Sequence, residues 1–379
     1  MKFSLFSKKN DNSKINNFNE ITSKQKKIVF YAENKASYNH LGPLINEFVS
    51  RNIPITYVTS VKDDRVFSKN NDLVQTLFVG QGISRINFFI TLDANILITD
   101  MPDLEKFHIK RSRKHNVHYV YIFHSMFSTH SYLRKGALDH YDTIFCVGEH
   151  HIKEIRETEK IYKLKPKNLI KYGFPRLDEL KKNSITNFNK LNNTVLICPS
   201  YGKNNLLLNS GMKLIKILLD NKFKVILRPH YRIFDENKEI INQIINEFSS
   251  HKNFKLEKNN LSYENFKNSV CMISDWSNIS FEYAFVYFKP IIFIDVPMKN
   301  MNNDFQKLSS PPIEFEMREK IGYLLSPNML ETIPDLIDFA KNNLSKRKIE
   351  ESVEKMIFNL GYSTKTGVDF LENFLDEKK

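Results

Sequence analysis

A histidine directly follows the apolar segment 117–123, which is typical of a buried β-strand. His124 would therefore stand at the end of a strand, where a side chain can reach a ligand. Its ordinary pKa of about 6.5 lets a histidine take a proton from a hydroxyl group at neutral pH. We predict that His124 is a general base. A histidine that only packs under the loop is the alternative.

A second strand-like segment, 225–227, ends in Arg228, Pro229 and His230. Proline fixes the local φ and turns the chain out of the strand, so its two neighbours would be held at the sheet edge. Arginine suits a phosphate oxygen, and histidine can donate a hydrogen bond to the same group. We therefore predict a phosphate contact for Arg228 and a catalytic contact for His230.

The segment 274–282 begins after a third strand and opens a helix. Ser277 or Asn278 is expected to cap that helix, and Ser280 would lie near its free backbone N–H groups. Such a helix start attracts anions, and a pyrophosphate is an obvious occupant. Glu282, in the first turn, could accept hydrogen bonds from a ribose.

Two further loops carry polar residues. Ser200 and Lys203 lie in the loop 198–203, which could bring backbone N–H groups and charge to a phosphate. Arg176 and Asp178 are expected to pair locally and so to order their own loop.

All these residues depend on strands that alternate with helices. Strand-like segments include 28–31, 95–99 and 143–147 in the first half of the chain, and 194–198, 224–227 and 290–295 in the second half. Short apolar strands separated by helices predict parallel sheets covered on both faces. Ligands of such sheets bind beyond the carboxyl ends of the strands. The expected fold is α/β, with two Rossmann-like lobes whose parallel sheets face a central cleft.

The length of 379 residues fits two lobes, since a domain averages about 150 residues. We predict a flexible basic tail at 1–25, a first lobe at 26–180, a linker at 181–191, a second lobe at 192–345, and C-terminal helices at 346–379. These last helices would close the second lobe or pack back on the first.

Composition limits the compartment and the partners. A formal net charge of +13 favours an anionic partner such as phospholipid head groups, nucleic acid or a polyphosphate polymer, although scattered lysines also suit a solvated surface. The three cysteines lack paired spacing, which indicates a reducing compartment. No apolar stretch reaches the length of about 20 residues that a membrane span needs. We therefore predict a cytoplasmic protein, peripheral on the inner face of the cell membrane.

Taken in order, the strand-end segments resemble the CDP-glycerol glycerophosphotransferase family of teichoic acid primases and polymerases, over roughly 28–362. The matching positions are Phe123-His124-Ser125, Gly173-Phe174-Pro175-Arg176, Cys198-Pro199-Ser200, Pro229-His230, Asp275-Trp276-Ser277-Asn278 and Phe281-Glu282. The chain departs from the family pattern at Ser125, at Asn278 and in the order of Pro229 and His230.

The resemblance implies a GT-B fold and a CDP-glycerol or CDP-ribitol donor whose nucleotide lies on the second lobe. A hydroxyl of a lipid-linked or polymeric acceptor would attack phosphorus and expel CMP. His124 would be the base, while His230, Arg228 and the helix start stabilise the leaving phosphate. His40 lies in a segment that looks like an acceptor-side loop. We expect no cofactor and no obligatory metal.

Three other functions remain open from the sequence. A GT-B glycosyltransferase using a nucleotide sugar, in capsule or lipopolysaccharide synthesis, would share the fold and the phosphate site. A nucleic-acid-binding protein fits the charge, but the lysines are dispersed and no zinc-ligand spacing is present. An inactive scaffold of a polymer-synthesis complex fits the substituted motifs.

Overall fold

The structure is a computed structural model that describes residues 18, 21–69, 71–184, 193–258 and 263–377. Within these ranges the first sheet has seven strands: Ile28–Ala32 (β1), Ile55–Thr59 (β2), Val74–Phe78 (β3), Ile96–Thr99 (β4), His118–Ile122 (β5), Thr143–Cys146 (β6) and Asn168–Lys171 (β7). Its helices are Tyr38–Ser50 (α1), Ile83–Thr91 (α2), Thr129–Tyr132 (α3), Glu149–Tyr162 (α4) and Pro175–Ser184 (α5).

The second sheet, as far as the structure describes it, has six strands: Thr194–Cys198 (β8), Lys224–Leu227 (β9), Phe254–Leu256 (β10), Cys271–Ser274 (β11), Ile291–Ile294 (β12) and Gly322–Leu325 (β13). Its helices are Met212–Asp220 (α6), Ile233–Glu236 (α7), Lys238–Phe248 (α8), Glu264–Asn268 (α9), Ile279–Tyr287 (α10), Ile313–Ile321 (α11) and Ile333–Asn343 (α12). Two C-terminal helices follow, Lys346–Met356 (α13) and Ser363–Asp376 (α14).

Both sheets are doubly wound. The first has the order β3-β2-β1-β4-β5-β6-β7 and the second β10-β9-β8-β11-β12-β13, with parallel neighbours throughout. The strand order therefore reverses between β1 and β4 in one lobe and between β8 and β11 in the other. A crevice opens at such a switch point, beyond the carboxyl ends of the strands. The predicted two-lobed α/β fold is confirmed.

The strands are apolar because helices cover both faces of each sheet. In the first lobe, buried Phe30 and Val120 pack with Phe48 of α1 and Leu371 of α14 on one face. Helix α14 thus returns from the end of the chain to the first lobe. Arg51 at the end of α1 fixes it further, through ion pairs with two carboxylates of α14 at 2.6 Å each.

Polar contacts join the two lobes beside the cleft. Helix α11 of the second lobe carries the buried Glu314, whose Oε2 accepts the backbone N–H of Ser128 at 3.0 Å. The Ser128 hydroxyl accepts the backbone N–H of Ile313 at 2.7 Å. The rings of Phe127 and Phe281 pack between the lobes, 4.8 Å apart. These contacts fix the loop that follows His124 against the second lobe.

Only some of the predicted segment boundaries can be compared with the structure. Most of the tail 1–25 and the linker residues 185–191 lie outside the described residues, and α5 extends into the first part of that linker. All three cysteines are buried and unpaired. Across the described part of the chain, no helix combines the length and apolar character that crossing a bilayer requires.

Candidate functional site

A cavity of about 460 Å³ lies between the carboxyl ends of the two sheets. The predicted site residues that line it are His40, His124, Ser200, Arg228, His230, Ser277, Asn278 and Glu282. They follow four strands, β5, β8, β9 and β11, or lie in two helices, α1 and α10, and they come from both lobes. The strand-end rule therefore brings residues from distant parts of the sequence to one place.

His124 is held in the tautomer that a base needs. Its Nδ1 lies 3.0 Å from the backbone carbonyl oxygen of Asp100, which follows β4. A carbonyl oxygen only accepts hydrogen bonds, so Nδ1 carries the proton and donates it. The other ring nitrogen, Nε2, is then unprotonated in the neutral ring and can accept a proton. Burial lowers the pKa of His124, which keeps the ring neutral at physiological pH.

Two more titratable groups lie beside His124 in the first-lobe wall. The ring of His40, from α1, is centred 6.2 Å from the ring of His124, and burial holds its pKa well below the usual value. The carboxyl group of Asp100 also lines the cavity, and burial raises its pKa to about 7. The ring of His40 is therefore neutral, and the carboxyl group of Asp100 gains a proton easily near neutral pH. These two groups add little charge to the first-lobe wall.

His230 has the opposite hydrogen-bonding role. Its Nδ1 accepts the backbone N–H of Arg232 at 3.3 Å, so in the neutral ring the proton is on Nε2. Its ring packs against Tyr201 and Tyr231, with centroids 4.5 Å away in each case. Burial, together with the nearby cation Lys299, lowers the pKa of His230 to about 3. His230 is therefore a neutral hydrogen-bond donor.

Arg228 is buried at the base of the second-lobe wall. Its guanidinium lies over the rings of Phe266 and Tyr263, at 4.8 and 5.2 Å, and 3.8 Å from a carboxylate oxygen of Glu257. Aromatic faces and one carboxylate hold the guanidinium flat in a dry environment. This position gives a fixed positive charge next to His230.

The loop after β8 is shaped by Asp275, which the sequence analysis did not single out as a separate site residue. Its two carboxylate oxygens accept the backbone N–H groups of Ser200 and Leu206, at 2.7 and 2.8 Å. Ser200 is thereby fixed in the cavity wall. Lys203, predicted to reach a phosphate, is instead exposed and does not line the cavity.

The start of α10 faces the cavity, but its side chains act differently from the prediction. Asn278 occupies the N-cap position without capping the helix. Its Oδ1 instead accepts the backbone N–H of Met126 at 2.9 Å and the hydroxyl of Ser125 at 3.2 Å, across the lobes. The buried Ser280 hydroxyl donates to the carbonyl of Ser277 at 2.7 Å, so it faces its own helix turn. Ser277 itself lines the cavity.

Arg176 and Asp178 do not pair locally as predicted. Arg176 Nε donates to Glu282 Oε1 at 2.7 Å, which joins α5 of the first lobe to α10 of the second. Asp178 Oδ1 accepts the backbone N–H of Gly361 at 2.8 Å, ahead of α14. Gly173 in the same loop has a φ of +102°, and a Cβ there would lie 2.2 Å from a carbonyl oxygen of residue 358. This loop therefore joins three parts of the fold.

Two histidines of α4 support the loop that carries His124. His150 Nε2 lies 3.0 Å from the carbonyl oxygen of Met126, and His151 Nε2 lies 2.9 Å from that of Phe127. Both ring nitrogens must donate, since both partners are carbonyl oxygens. Burial lowers the pKa of His151 to about 3, which keeps this support neutral.

The sequence analysis missed several cavity residues. The main ones are Asp100, Tyr201, Arg232, Lys299 and Glu314. Asp100 directly follows β4, so the strand-end rule could have found it. Lys299 lies five residues beyond β12, in a loop whose path the sequence does not reveal.

Chemically, the arrangement pairs a proton acceptor on one wall with donors and cations on the other. Arg228 and Lys299 supply positive charge near His230, and the start of α10 adds backbone N–H groups. A group that loses a proton near His124 and an anion near His230 would both be accommodated. Among the described residues, no cluster of three or more His, Cys, Asp or Glu side chains could hold a metal ion, and the expectation of no obligatory metal stays a prediction.

Known structures share this architecture at low sequence identity. The wall teichoic acid polymerase TagF matches with a TM-score of 0.61 and 16% identity over 94% of this chain and 90% of that chain. A TagF variant soaked with CDPG matches with a TM-score of 0.60 and 14% identity, over the same shares of the two chains. The MnaA–UDP complex from S. aureus matches with a TM-score of 0.60 and 12% identity, over 93% of this chain and 97% of that chain. These likenesses support the fold.

The family is shown by sequence. No curated protein matches the chain. The family model described as CDP-glycerol:poly(glycerophosphate) glycerophosphotransferase matches residues 14–303, which is well over half of the 379 residues. The family inferred from the strand-end motifs is thereby confirmed, and the chain belongs to the CDP-glycerol:poly(glycerophosphate) glycerophosphotransferases.

Proposed function

We propose that this enzyme transfers glycerol phosphate, or a related polyol phosphate, from a CDP-linked donor to a hydroxyl group of a lipid-linked or polymeric acceptor. CMP is the other product, and the reaction serves the synthesis of a teichoic acid or a capsular polysaccharide. One observation carries the proposal. Two neutral histidines line a single cavity, one with a free proton-accepting nitrogen and the other with an N–H to donate.

The donor's nucleotide lies on the second lobe in this proposal. The switch point between β8 and β11 supplies the loop of Ser200 and the start of α10. Backbone N–H groups at a helix start bind phosphate, and the buried Arg228 adds a full positive charge. Glu282 is held by Arg176, so its carboxylate is fixed for hydrogen bonds from a ribose.

The reaction is an in-line displacement at the phosphorus atom that carries the polyol. The acceptor oxygen forms a bond to this phosphorus, and its proton moves to Nε2 of His124. The bond between phosphorus and the bridging oxygen breaks, and the electron pair leaves with CMP. Positioning and charge stabilisation supply most of the catalysis in phosphoryl transfer. The protein therefore needs to form no covalent intermediate, and a base near the acceptor hydroxyl completes the reaction.

His230 and Arg228 stabilise the charge that grows on the departing CMP phosphate. A donor that is already oriented costs no reorganisation during the reaction. The N–H of His230 Nε2 is oriented in this way, since the rings of Tyr201 and Tyr231 pack against the imidazole. The first-lobe wall, with His40 and Asp100, receives the uncharged hydroxyl end of the acceptor.

Release of CMP tests the proposal directly. The purified enzyme is incubated with CDP-glycerol and a short poly(glycerol phosphate) acceptor, and CMP is separated by anion-exchange chromatography. We expect acceptor-dependent CMP, with CDP-ribitol as a parallel donor to identify the polyol. His124→Ala should slow CMP release by about 10²- to 10⁴-fold while CDP-glycerol still binds. Equal rates in the two proteins would remove His124 as the base.

The same assay addresses the other functions. Sugar nucleotides replace CDP-glycerol in parallel reactions, and release of a nucleotide from these alone would favour a glycosyltransferase. Binding of CDP-glycerol without CMP release from any acceptor would favour an inactive scaffold. A gel-shift experiment at physiological salt tests nucleic acid, for which we expect no tight binding.

A peripheral position at the inner face of the cell membrane completes the proposal. The net charge of +13 favours acidic lipid, where each basic residue near the surface contributes about 1 kcal/mol. Co-sedimentation with vesicles of phosphatidylglycerol should decrease as salt rises, with phosphatidylcholine vesicles as the control. Equal binding to both lipids at all salt concentrations would contradict this part.

A further inference from the structure

Three side chains that can carry positive charge surround the ring of Tyr201 in the second-lobe wall. Lys299 Nζ lies 2.8 Å from the ring centroid, the guanidinium carbon of Arg232 lies 4.3 Å away, and the ring of His230 is centred 4.5 Å away. All four residues line the cavity. Like charges this close repel each other, so the fully charged cluster requires an anion nearby.

The carboxylates that face Lys299 are engaged elsewhere. Within the described residues these are Glu236 and Asp275. Glu236 Oε1 accepts Arg232 Nη2 at 2.6 Å, and Asp275 binds the backbone N–H groups of the loop after β8. Neither carboxylate therefore supplies a full counter-charge for Lys299, and a ligand anion in the cavity can do so.

Resting on the proposed function, we propose that Lys299 binds the diphosphate of the donor and takes up a proton when the donor binds. The loop after β12 carries Lys299 to the same wall as the loop after β8 and the start of α10. A phosphate group between these elements would contact backbone N–H groups on one side and the ammonium on the other. A compact ammonium suits this role, since it can turn toward any phosphate oxygen.

Proton uptake follows from the burial of Lys299 and the charges around it. Burial, with Arg232 as the next contribution, lowers the pKa of Lys299 to about 7. At pH 8 roughly nine-tenths of such groups are neutral, and a bound diphosphate raises the pKa again. Donor affinity is therefore highest below the pKa of the free enzyme and decreases as pH rises through it. Between the free and bound pKa values the loss is up to about tenfold per pH unit.

Other groups at this cavity can also bind protons, and their contribution must be distinguished from that of Lys299. His124 and His230 both face Lys299, and burial lowers the pKa of each, so at pH 8 both are neutral before binding. Asp100 has a pKa of about 7, and a nearby anion would raise it, so this carboxyl could also take up a proton. The variant Asp100→Asn removes that contribution.

Calorimetry of CDP binding at pH 8 tests the inference. Binding enthalpies are measured in two buffers of different ionisation enthalpy, and their difference gives the number of protons taken up. We expect roughly one proton for the wild-type enzyme and for Asp100→Asn. Lys299→Met should take up no proton, and its affinity for CDP should be about 10- to 100-fold lower. Lys299→Arg should bind CDP without taking up a proton, because arginine is charged in both states.

Lys216→Met is the matched control, since this exposed lysine of α6 pairs with Asp220 one turn away and does not line the cavity. It should retain both the affinity and the proton uptake. Undiminished uptake in both Lys299 variants would overturn the inference, while CMP release by the wild-type enzyme would still support the proposed function. Lys299-dependent uptake without CMP release would instead support diphosphate binding by Lys299 and contradict the proposed reaction.

Discussion

The two walls of the cavity are built on the same strand order and carry opposite chemistry. In both lobes the reversal of the strand order opens a crevice at the carboxyl ends of the strands. The first-lobe wall offers His40, Asp100 and His124. The second-lobe wall offers a set of cations and N–H donors that includes Arg228 and Lys299. The fold therefore fixes where a ligand binds, and the residues after each strand decide which chemistry occurs there.

Burial moves the titratable groups of the first wall toward their neutral forms. It raises the pKa of the Asp100 carboxyl to about 7 and lowers that of the His124 ring, so both groups move toward their neutral forms. The second wall contains the buried guanidinium of Arg228. An uncharged hydroxyl suits the first wall, and a diphosphate suits the second.

Replacing His124 should give the largest effect, and it tests the first wall alone. His124→Ala removes the proposed base, so we expect turnover to fall by about 10²- to 10⁴-fold with little change in CDP affinity. His124→Asn is the sharper variant, since its amide N–H can still donate to the Asp100 carbonyl and so keep the loop in place. Rates from CMP release and affinities from calorimetry measure the two effects.

The exposed His251, which does not line the cavity, is the matched control. His251→Asn should leave both quantities unchanged. If His124→Asn lost CDP affinity as strongly as turnover, the two walls would not be separate in function.

Replacing His230 tests the second wall. His230→Ala removes the N–H donor that we propose for the departing CMP phosphate, and we expect turnover to fall by about 10²- to 10³-fold. His230→Gln restores a side-chain N–H and should recover part of that loss. Equal activity of the alanine and glutamine variants would show that the ring acts through packing on Tyr201 and Tyr231 rather than through its proton.

The pH dependence of kcat/KM tests the first wall. A base works only when neutral, so kcat/KM should decrease below the pKa of His124, by about tenfold per pH unit. Burial lowers that pKa from 6.5, and the acidic limb therefore lies below pH 6.5. If the acidic limb persists in Asp100→Asn, it belongs to the imidazole of His124. If it disappears in that variant, it belongs to the carboxyl group of Asp100.

Much of this site could be predicted from the sequence, because its residues follow strands that are strongly apolar. The strand–loop–helix pattern placed His124, Arg228, His230 and Ser277 correctly in one cavity. The missed strands β3, β10 and β13 lie at or near sheet edges, where sequences are short or mixed in polarity.

Contacts between elements far apart in the sequence could not be predicted. Arg176 meets Glu282 from 106 residues away, and Asp178 meets the turn before α14. A local pattern has no information on which distant element approaches a loop. For the same reason Asn278 suggested a helix cap, while its side chain instead joins the lobes.

The hydrogen bonds of Asn278 across the lobes should contribute to stability. Asn278→Ala leaves the backbone N–H of Met126 without its acceptor, and we expect a loss of about 1–3 kcal/mol in the free energy of unfolding. Asn278→Asp keeps an acceptor oxygen and should retain most of the stability. Urea denaturation of the two variants measures the difference. Equal stability would show that other contacts hold this loop.

The smallest effect is expected from replacing Lys203, and this variant tests how far the second wall extends along the loop after β8. Lys203 shares a loop with Ser200 but is exposed and outside the cavity lining, so Lys203→Ala should change CDP affinity by less than about threefold. Ser200 is fixed by Asp275 through its backbone N–H, so the path of the loop, rather than its charge, brings this segment to the ligand. A tenfold loss of CDP affinity in Lys203→Ala would mean that the loop closes over the donor and that the cationic wall extends to its tip.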